Sequence, residues 1–418
     1  MPAFWLLAAC TIVYTRCSSG TCRRWKTRWS RPRSSVHIIF LHCTREFTGT
    51  ARAFAVAARG LAARGHTVRF LAEPDSSVEQ AATRIATVAS RLGGTDPDVQ
   101  HEVAPFEVVQ FACEGFWFAA AWRMRHLFRH WDADVVFVTT EREHLIASVA
   151  CWLGRRGSIV RRTPAGCLLD MRGSGKFAAW LTRTCYLFAD PNDLRVAKIP
   201  RKAGPSEVAM LGVDTTRYPE RGNGTNQESS DSLGIRYIIC VYDPTSRGRA
   251  ATAIRTVSML SPRHPYLRLM IFGPGSDSEE LRMQAAALGV LDLVSFLGER
   301  DDHLLLMRDA DLGWVVAEAD TAAYGILDLM ALGVPVLAAE GTVADAYVAN
   351  MITGTLVPPD DAATTAAAVV TLLTNEEQRV AIGAAGRSRV AREFPEQAMV
   401  DGFEKLAKAA GGRVRSRG

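Results

Sequence analysis

The chain has 418 residues, 48% of them hydrophobic and 22% charged, which is ordinary for a globular protein and long enough for two domains with full cores. Its formal charge of +5 gathers at the ends: residues 1–35 hold seven Arg or Lys and no acid, and Arg413, Arg415 and Arg417 close the chain. Residues 36–418 together sum to about −2, so the basic folded face that a nucleic-acid partner requires is not expected.

Residues 1–35 do not read as a domain. The uncharged apolar run 2–15 is shorter than the roughly 20 residues of a membrane span. Positive charge follows it, whereas a secretory signal begins with it. A disordered or mis-assigned extension is the favoured reading, ahead of a membrane-surface anchor and a cleaved signal. The folded part opens with a buried parallel strand expected over 36–41, a turn over 42–49, a helix over 50–64 and a strand over 67–72. Gly49-Thr50 stands at the helix start of this βαβ unit, where it could face a phosphate or sugar. A long helical region is expected over 78–92 and 106–131, then a strand over 134–139. Within it Phe116, Trp117, Phe118, Trp122, Phe128 and Trp131 alternate with Arg123, Arg125 and Arg129. The favoured reading is a helix covering a sheet with a solvated basic side. The other is a face lying on a membrane or near a lipid-linked acceptor.

Further α/β units follow, with strands over 158–162, 185–189 and 207–211, a helix over 175–183 and another near Pro191. Residues 219–234 are polar and rich in Gly and Ser, as in an exposed linker. Alternation then restarts, with strands over 237–241, 267–272 and 294–297 and helices over 249–260, 278–288 and 303–308. Helices over 360–373 and 376–393 come later. The expected division is an extension (1–35), a first α/β domain (36–218), a linker (219–234), a second α/β domain (235–395) and a C-terminal helix with a basic tail (396–418). Nine cysteines lack a metal-ligand rhythm and read as reduced core thiols of a cytosolic protein.

Residues 310–340 concentrate the chemistry. A strand over 312–317, a small-residue turn, a short helix and a strand over 334–338 are expected, with Gly333 and Pro335 ending the helix. Asp320 in the turn and Asp328 in the helix have seven residues between them. A turn that opens a helix leaves unpaired N–H groups for an anion. A carboxylate farther along can accept both hydroxyls of a ribose. The stretch is therefore expected to hold a nucleotide bearing a sugar. No Asp-x-Asp or His/Cys cluster stands at a strand end in this half, so no metal is expected.

Taken together, these residues resemble the nucleotide-sugar glycosyltransferases of the two-Rossmann (GT-B) fold, retaining type, family four. The likeness runs over about residues 36–410. Gly65-His66-Thr67-Val68 is similar to the family's first helix-to-strand turn, and Gly212-Val213-Asp214 through Tyr218 to the signature closing its first domain. Phe272-Gly273-Pro274-Gly275, residues 294–298, residues 329–336 and residues 354–360 follow in the family's order. The resemblance implies an α/β chain of two Rossmann-like parallel-sheet domains facing a cleft, the first for the acceptor and the second for the donor. It implies a UDP- or GDP-linked sugar as substrate with no cofactor, a carbohydrate or lipid-linked acceptor, and retention of configuration. Polysaccharide or glycolipid synthesis in the cytoplasm or at the inner membrane face would be the setting, and the oligomeric state stays open.

By the same resemblance Asp320 touches the sugar, and Arg247 beside Gly248 supplies the cation on the leaving diphosphate; these are the catalytic candidates. Asp328 takes the ribose. Gly273, Gly275, the N–H groups of Tyr324 and Gly325, Leu297 and Gly49 complete the donor contacts. Both acids are one methylene shorter than the family's glutamates, and Tyr324-Gly325 comes two residues late. Asp243 falls near a second cation's place, so either it turns away and Arg249 assists, or the donor is held weakly. The acceptor is expected near Gly49, with Arg142 and His144 as candidates, although His144 reads more simply as a surface-loop residue. The alternatives are a nucleotide-sugar 2-epimerase and a catalytically degenerate binding protein on the same fold.

Overall fold

The computed structural model describes residues 35–91, 106–169, 173–219, 234–300 and 302–411. All but the last residue of the N-terminal extension, all but the first and last residues of the expected linker, and the basic tail lie outside the described residues. Seven parallel strands form the first sheet: β1 (His37–His42), β2 (Thr67–Ala72), β3 (Glu107–Gln110), β4 (Val135–Val138), β5 (Ser158–Thr163), β6 (Cys185–Phe188) and β7 (Ser206–Val208), in the order β3-β2-β1-β4-β5-β6-β7. Its helices are α1 (Gly49–Ala63), α2 (Ser77–Arg91), α3 (Trp117–His130), α4 (Glu141–Gly154), α5 (Ser174–Leu181) and α6 (Pro191–Val196). The second sheet orders six parallel strands β10-β9-β8-β11-β12-β13: β8 (Arg236–Val241), β9 (Leu267–Phe272), β10 (Val294–Phe296), β11 (Leu312–Val315), β12 (Val336–Ala339) and β13 (Thr355–Val357). With it come α7 (Arg247–Leu260), α8 (Glu279–Ala287), α9 (His303–Arg308), α10 (Ala319–Ala331), α11 (Ala344–Tyr347), α12 (Ala362–Thr374), α13 (Glu376–Glu393) and α14 (Glu396–Gly411).

The unbroken apolar runs explain the central strands, since helices cover both faces of a parallel sheet. All four residues of β4 and all four of β6 are buried. Strand order reverses at β1/β4 in the first sheet and at β8/β11 in the second. Ligands of doubly wound sheets bind outside the carboxyl ends at such points. Helix α1, which follows β1, is buried on almost every side because it meets the sheet, α10 and α14. Phe54 of α1, Phe40 of β1, Phe137 of β4 and Phe403 of α14 interlock, with ring centroids 4.9–6.3 Å apart. The C-terminal helix thus follows the elements of the second sheet yet packs on the first.

Three expectations need correcting. Residues 107–110 form a strand where helix was expected; β3 is a short edge strand with no fully buried residue, too brief to display a period of two. Residues 141–154 form α4, which was not anticipated although Thr140 and Glu143 make a capping box at its start. The third concerns the thiols. Cys43, just after β1, and Cys113, just after β3, are joined in a disulfide with Cα atoms 5.7 Å apart. Their juxtaposition depends on β3. Cys151, Cys185 and Cys240 are buried and lie outside the disulfide.

Gly273, at the end of β9, has φ of 129°, and a Cβ there would lie 2.1 Å from the Tyr242 carbonyl oxygen. Gly273→Ala is expected to lower stability by about 2–3 kcal/mol through strain and displacement of β8. Denaturant unfolding checks this, and an unshifted midpoint would show that the two strand ends can separate freely.

Candidate active site between the two sheets

Helix α10 starts where β11 ends, at the carboxyl edge of the second sheet. Ala319 adopts φ of 48° there, and no side chain caps the helix start. Both acids lie on this helix, each is buried, and each is held by the first lobe. Asp320 forms a two-pronged ion pair with Arg162 of β5; the second prong, Nη2 to Oδ1, is 3.1 Å. It also accepts the Thr50 hydroxyl at 2.8 Å and the Ala165 N–H at 2.9 Å. Burial works against the Arg162 charge, but Asp320 outweighs it and holds the guanidinium above its ordinary value. Gly49 presses on the same point: a Cβ there would lie 2.3 Å from the Asp320 carbonyl carbon, and its N–H donates to Thr321 Oγ1 at 3.1 Å. Glycine is needed here so that the starts of α1 and α10 can touch.

Asp328, two turns further along, accepts Arg52 Nη1 at 2.6 Å, Arg52 Nη2 at 2.8 Å and the Tyr218 hydroxyl at 2.5 Å. Burial and the carboxylate keep the Tyr218 hydroxyl well above its ordinary pKa, so it remains a donor. Burial opposes the Arg52 charge, yet the Asp328 carboxylate holds it well above its usual value. The Arg52 guanidinium also lies over the Tyr324 ring, 4.2 Å from its centroid.

A cavity of about 470 Å³ opens beside this cluster, within the range of small-molecule sites. Asp328, Arg52, Gly49, Gly273, Tyr324 and Gly325 line it, and Thr321 brings it to the start of α10. Arg84 from α2 and Arg300 and His303 from the second lobe add basic groups, while Phe47, Ile85 and Leu304 supply apolar wall.

Several expected site residues are placed differently. Arg247 is 64% exposed and turns to Glu280 at 3.3 Å, outside the cavity. The cause is local: Asp243 accepts the Thr245 N–H at 2.8 Å and exchanges hydrogen bonds with Ser246, which makes Arg247 the first residue of α7. Asp243 itself is buried and accepts the Glu318 N–H at 2.6 Å, so it faces away from the cavity. Arg249 pairs with Glu318 at 3.2 Å and does not line the cavity either. Arg247→Ala is accordingly expected to change nucleotide affinity less than twofold; a tenfold loss in calorimetry would show that the α7 start rearranges on binding.

Tyr324 and Gly325 line the wall, but they sit in the second turn of α10, where the helix uses their N–H groups. Gly325 is required by packing, since a Cβ would lie 2.9 Å from Val241 Cγ1. Gly275 has φ of 72° and shapes the turn after β9. Leu297 follows β10 and packs against the large core, and neither lines the cavity. Asp320 is likewise absent from its wall. His144 is fully buried in α4, bonded to Thr184 Oγ1 at 2.8 Å, and burial pushes its pKa down to about 3. It is therefore neither a surface-loop residue nor a cleft residue. Arg142 donates to the carbonyls of Cys113 and Gly115 at 2.7 Å each, bracing the loop before α3. Arg52 and Arg162 went unnoticed in the sequence. Arg162 did leave a trace, because a charge inside a buried strand needs a partner.

The profile of the family described as "Glycosyl transferases group 1" matches residues 235–389, which run from β8 into α13 and include both acids. No curated protein matches the sequence. Among solved structures, a glycosyltransferase from Rickettsia africae ESF-5 is 14% identical, with a TM-score of 0.70 over 90% of this chain and 98% of that one. HepE from Anabaena, in complex with UDP-glucose, is 16% identical, with a TM-score of 0.70 over 89% of this chain and 99% of that one. A putative UDP-N-acetylglucosamine 2-epimerase from Listeria monocytogenes is 13% identical, with a TM-score of 0.58 over 91% and 97%. The fold is GT-B. At these identities the likeness concerns architecture, and the cleft between the two Rossmann-like sheets is the part of a GT-B chain where the cavity described above lies.

Proposed function

We propose that this protein is a glycosyltransferase that takes a sugar from a UDP- or GDP-linked donor and passes it, with retention, to a carbohydrate or lipid-linked acceptor. The observation that carries the reading is Asp328. It stands on the cavity wall with both oxygens held by N–H and O–H donors, the arrangement that the two hydroxyls of a ribose would supply. The diol displaces the Arg52 fork, and Arg52 turns to the diphosphate. Charge developing there as the glycosyl bond breaks meets Arg52 and the uncapped start of α10. The match of residues 235–389 to the glycosyltransferase profile supports the same reading. So do the complexes of HepE with UDP and with UDP-glucose. The acceptor is assigned to the first lobe, in polysaccharide or glycolipid synthesis on the cytoplasmic side.

A second reading, binding without turnover, is favoured by one observation: Asp320 is sealed by Arg162, Thr50 and Ala165 and does not reach the cavity. Calorimetric titration of UDP and GDP, followed by a panel of nucleotide sugars with and without acceptor, separates the two. Binding with sugar transfer supports the transferase, and binding with no turnover on any donor selects the second reading. Release of free nucleotide with an epimerised sugar and no acceptor would select a 2-epimerase. Binding of neither nucleotide removes all three.

A further inference from the structure

Helices α3, α4 and α5 lie side by side on one face of the first sheet. Arg142 at the start of α4 meets the loop before α3, and Gly154 at its end faces the Arg125 stem. Ser174 of α5 bonds Glu141 at 3.2 Å, and Thr182 just after α5 bonds Ser148 at 3.1 Å, so all three helices run in the same direction. The inner sides of α3 and α4 fill a core with Ala120, Met124, Phe128 and Ile146. The outer sides depart from the usual solvated surface. They and the residue before α3 carry Phe116 (71% exposed), Phe118, Trp122, Trp152, Phe177 and Trp180 (70% exposed). Among the described residues, every exposed Phe or Trp lies on this one face. Phe177 and Trp180 stack with centroids 6.0 Å apart, and the Arg125 guanidinium covers Trp122 at 4.7 Å.

Cations stand between the rings. Helix α3 holds Arg123, Arg125 and Arg129 with His126 and His130, and no acid. Helix α5 holds Lys176 and no acid, and Arg183 follows it. Helix α4 opens on Glu141 and Glu143, of which Glu143 is buried and Glu141 accepts the Ser174 hydroxyl; of the acids beside the face, Asp132 pairs with Arg156 at 2.6 Å and Glu114 with Arg45 at 3.1 Å. A protein-binding patch gathers apolar side chains at its centre and places charges at the rim. Here rings and cations alternate across three helices, which suits the depth where indoles sit among anionic headgroups. We propose that this three-helix face docks on a bilayer containing anionic lipid. The inference stands apart from the donor reading, because none of these side chains lines the cavity.

Sedimentation of the full chain with vesicles of equimolar phosphatidylcholine and phosphatidylglycerol, against phosphatidylcholine alone, tests it. Binding is expected to the anionic vesicles and to weaken with salt. The combined variant Trp122→Ser, Trp152→Ser, Trp180→Ser should bind at least tenfold more weakly, and Arg129→Ala and Lys176→Ala about fivefold more weakly each. Should the tryptophan variant misfold, the exposed Arg129 and Lys176 decide alone. No binding to anionic vesicles overturns the proposal. So does binding undiminished in the variants, which would place attachment elsewhere in the chain. Self-association abolished by the tryptophan changes, without vesicle binding, would assign the face to a second copy instead.

Discussion

Asp328→Ala is expected to weaken UDP or GDP binding roughly 30- to 150-fold. The carboxylate offers a ribose two charge-assisted hydrogen bonds, worth about 1.5–3 kcal/mol each before competition. That gain is not realised in full, because Asp328 must first release Arg52 and Tyr218, to which it is bound at 2.5–2.8 Å. A net loss of about 2–3 kcal/mol remains, which is the stated range in affinity. Arg52 keeps Tyr218 and the Tyr324 ring as neighbours and lines the cavity, so water can reach it and the variant should stay folded. Asp328→Asn, which keeps the shape and one acceptor, should fall between the two. Calorimetry on all three forms is the check. Equal affinities would mean that the ribose lies elsewhere.

Arg162→Met should destabilise the fold by about 3–5 kcal/mol, because it strands a buried carboxylate. Arg162 and Asp320 are 0% and 1% exposed, and the hydrogen bonds from Thr50 and Ala165 do not neutralise the charge left behind. Breaking one side of such a pair costs far more than replacing both with apolar groups. The double variant Arg162→Met, Asp320→Leu should therefore recover most of the loss, and denaturant unfolding of the single and double variants measures it. The pair also joins β5 of the first sheet to α10 of the second. If the single variant unfolds at the wild-type midpoint, Asp320 is not the pin between lobes that its contacts describe.

Much of the architecture could be read from the chain because buried parallel strands write themselves as apolar runs, and α1 and α10 alternate with them at helical spacing. What escaped was short or local. β3 has four residues at a sheet edge, and α4 announced itself only through Thr140 and Glu143. In the site, Asp328 was legible because its helix and its place after β11 can be inferred from one continuous segment. Arg52 and Arg162 were not, since each meets its acid across the gap between the lobes, at separations of 276 and 158 residues. Arg247 was misplaced for a different reason. Its neighbour Asp243 caps the turn, and that closure directs the arginine toward Glu280. Tyr324-Gly325 was misread because α10 begins five residues earlier, at Ala319, which takes both N–H groups into the helix.

In the proposed donor complex a ribose diol takes the place that Arg52 holds on Asp328. Titrating the wild-type chain with whichever of UDP and GDP binds, and then with its 2′,3′-dideoxy analogue, tests this directly. A loss of at least tenfold with the dideoxy compound, and none in Asp328→Ala, is the predicted result; equal affinity of the wild-type chain for both nucleotides would contradict it.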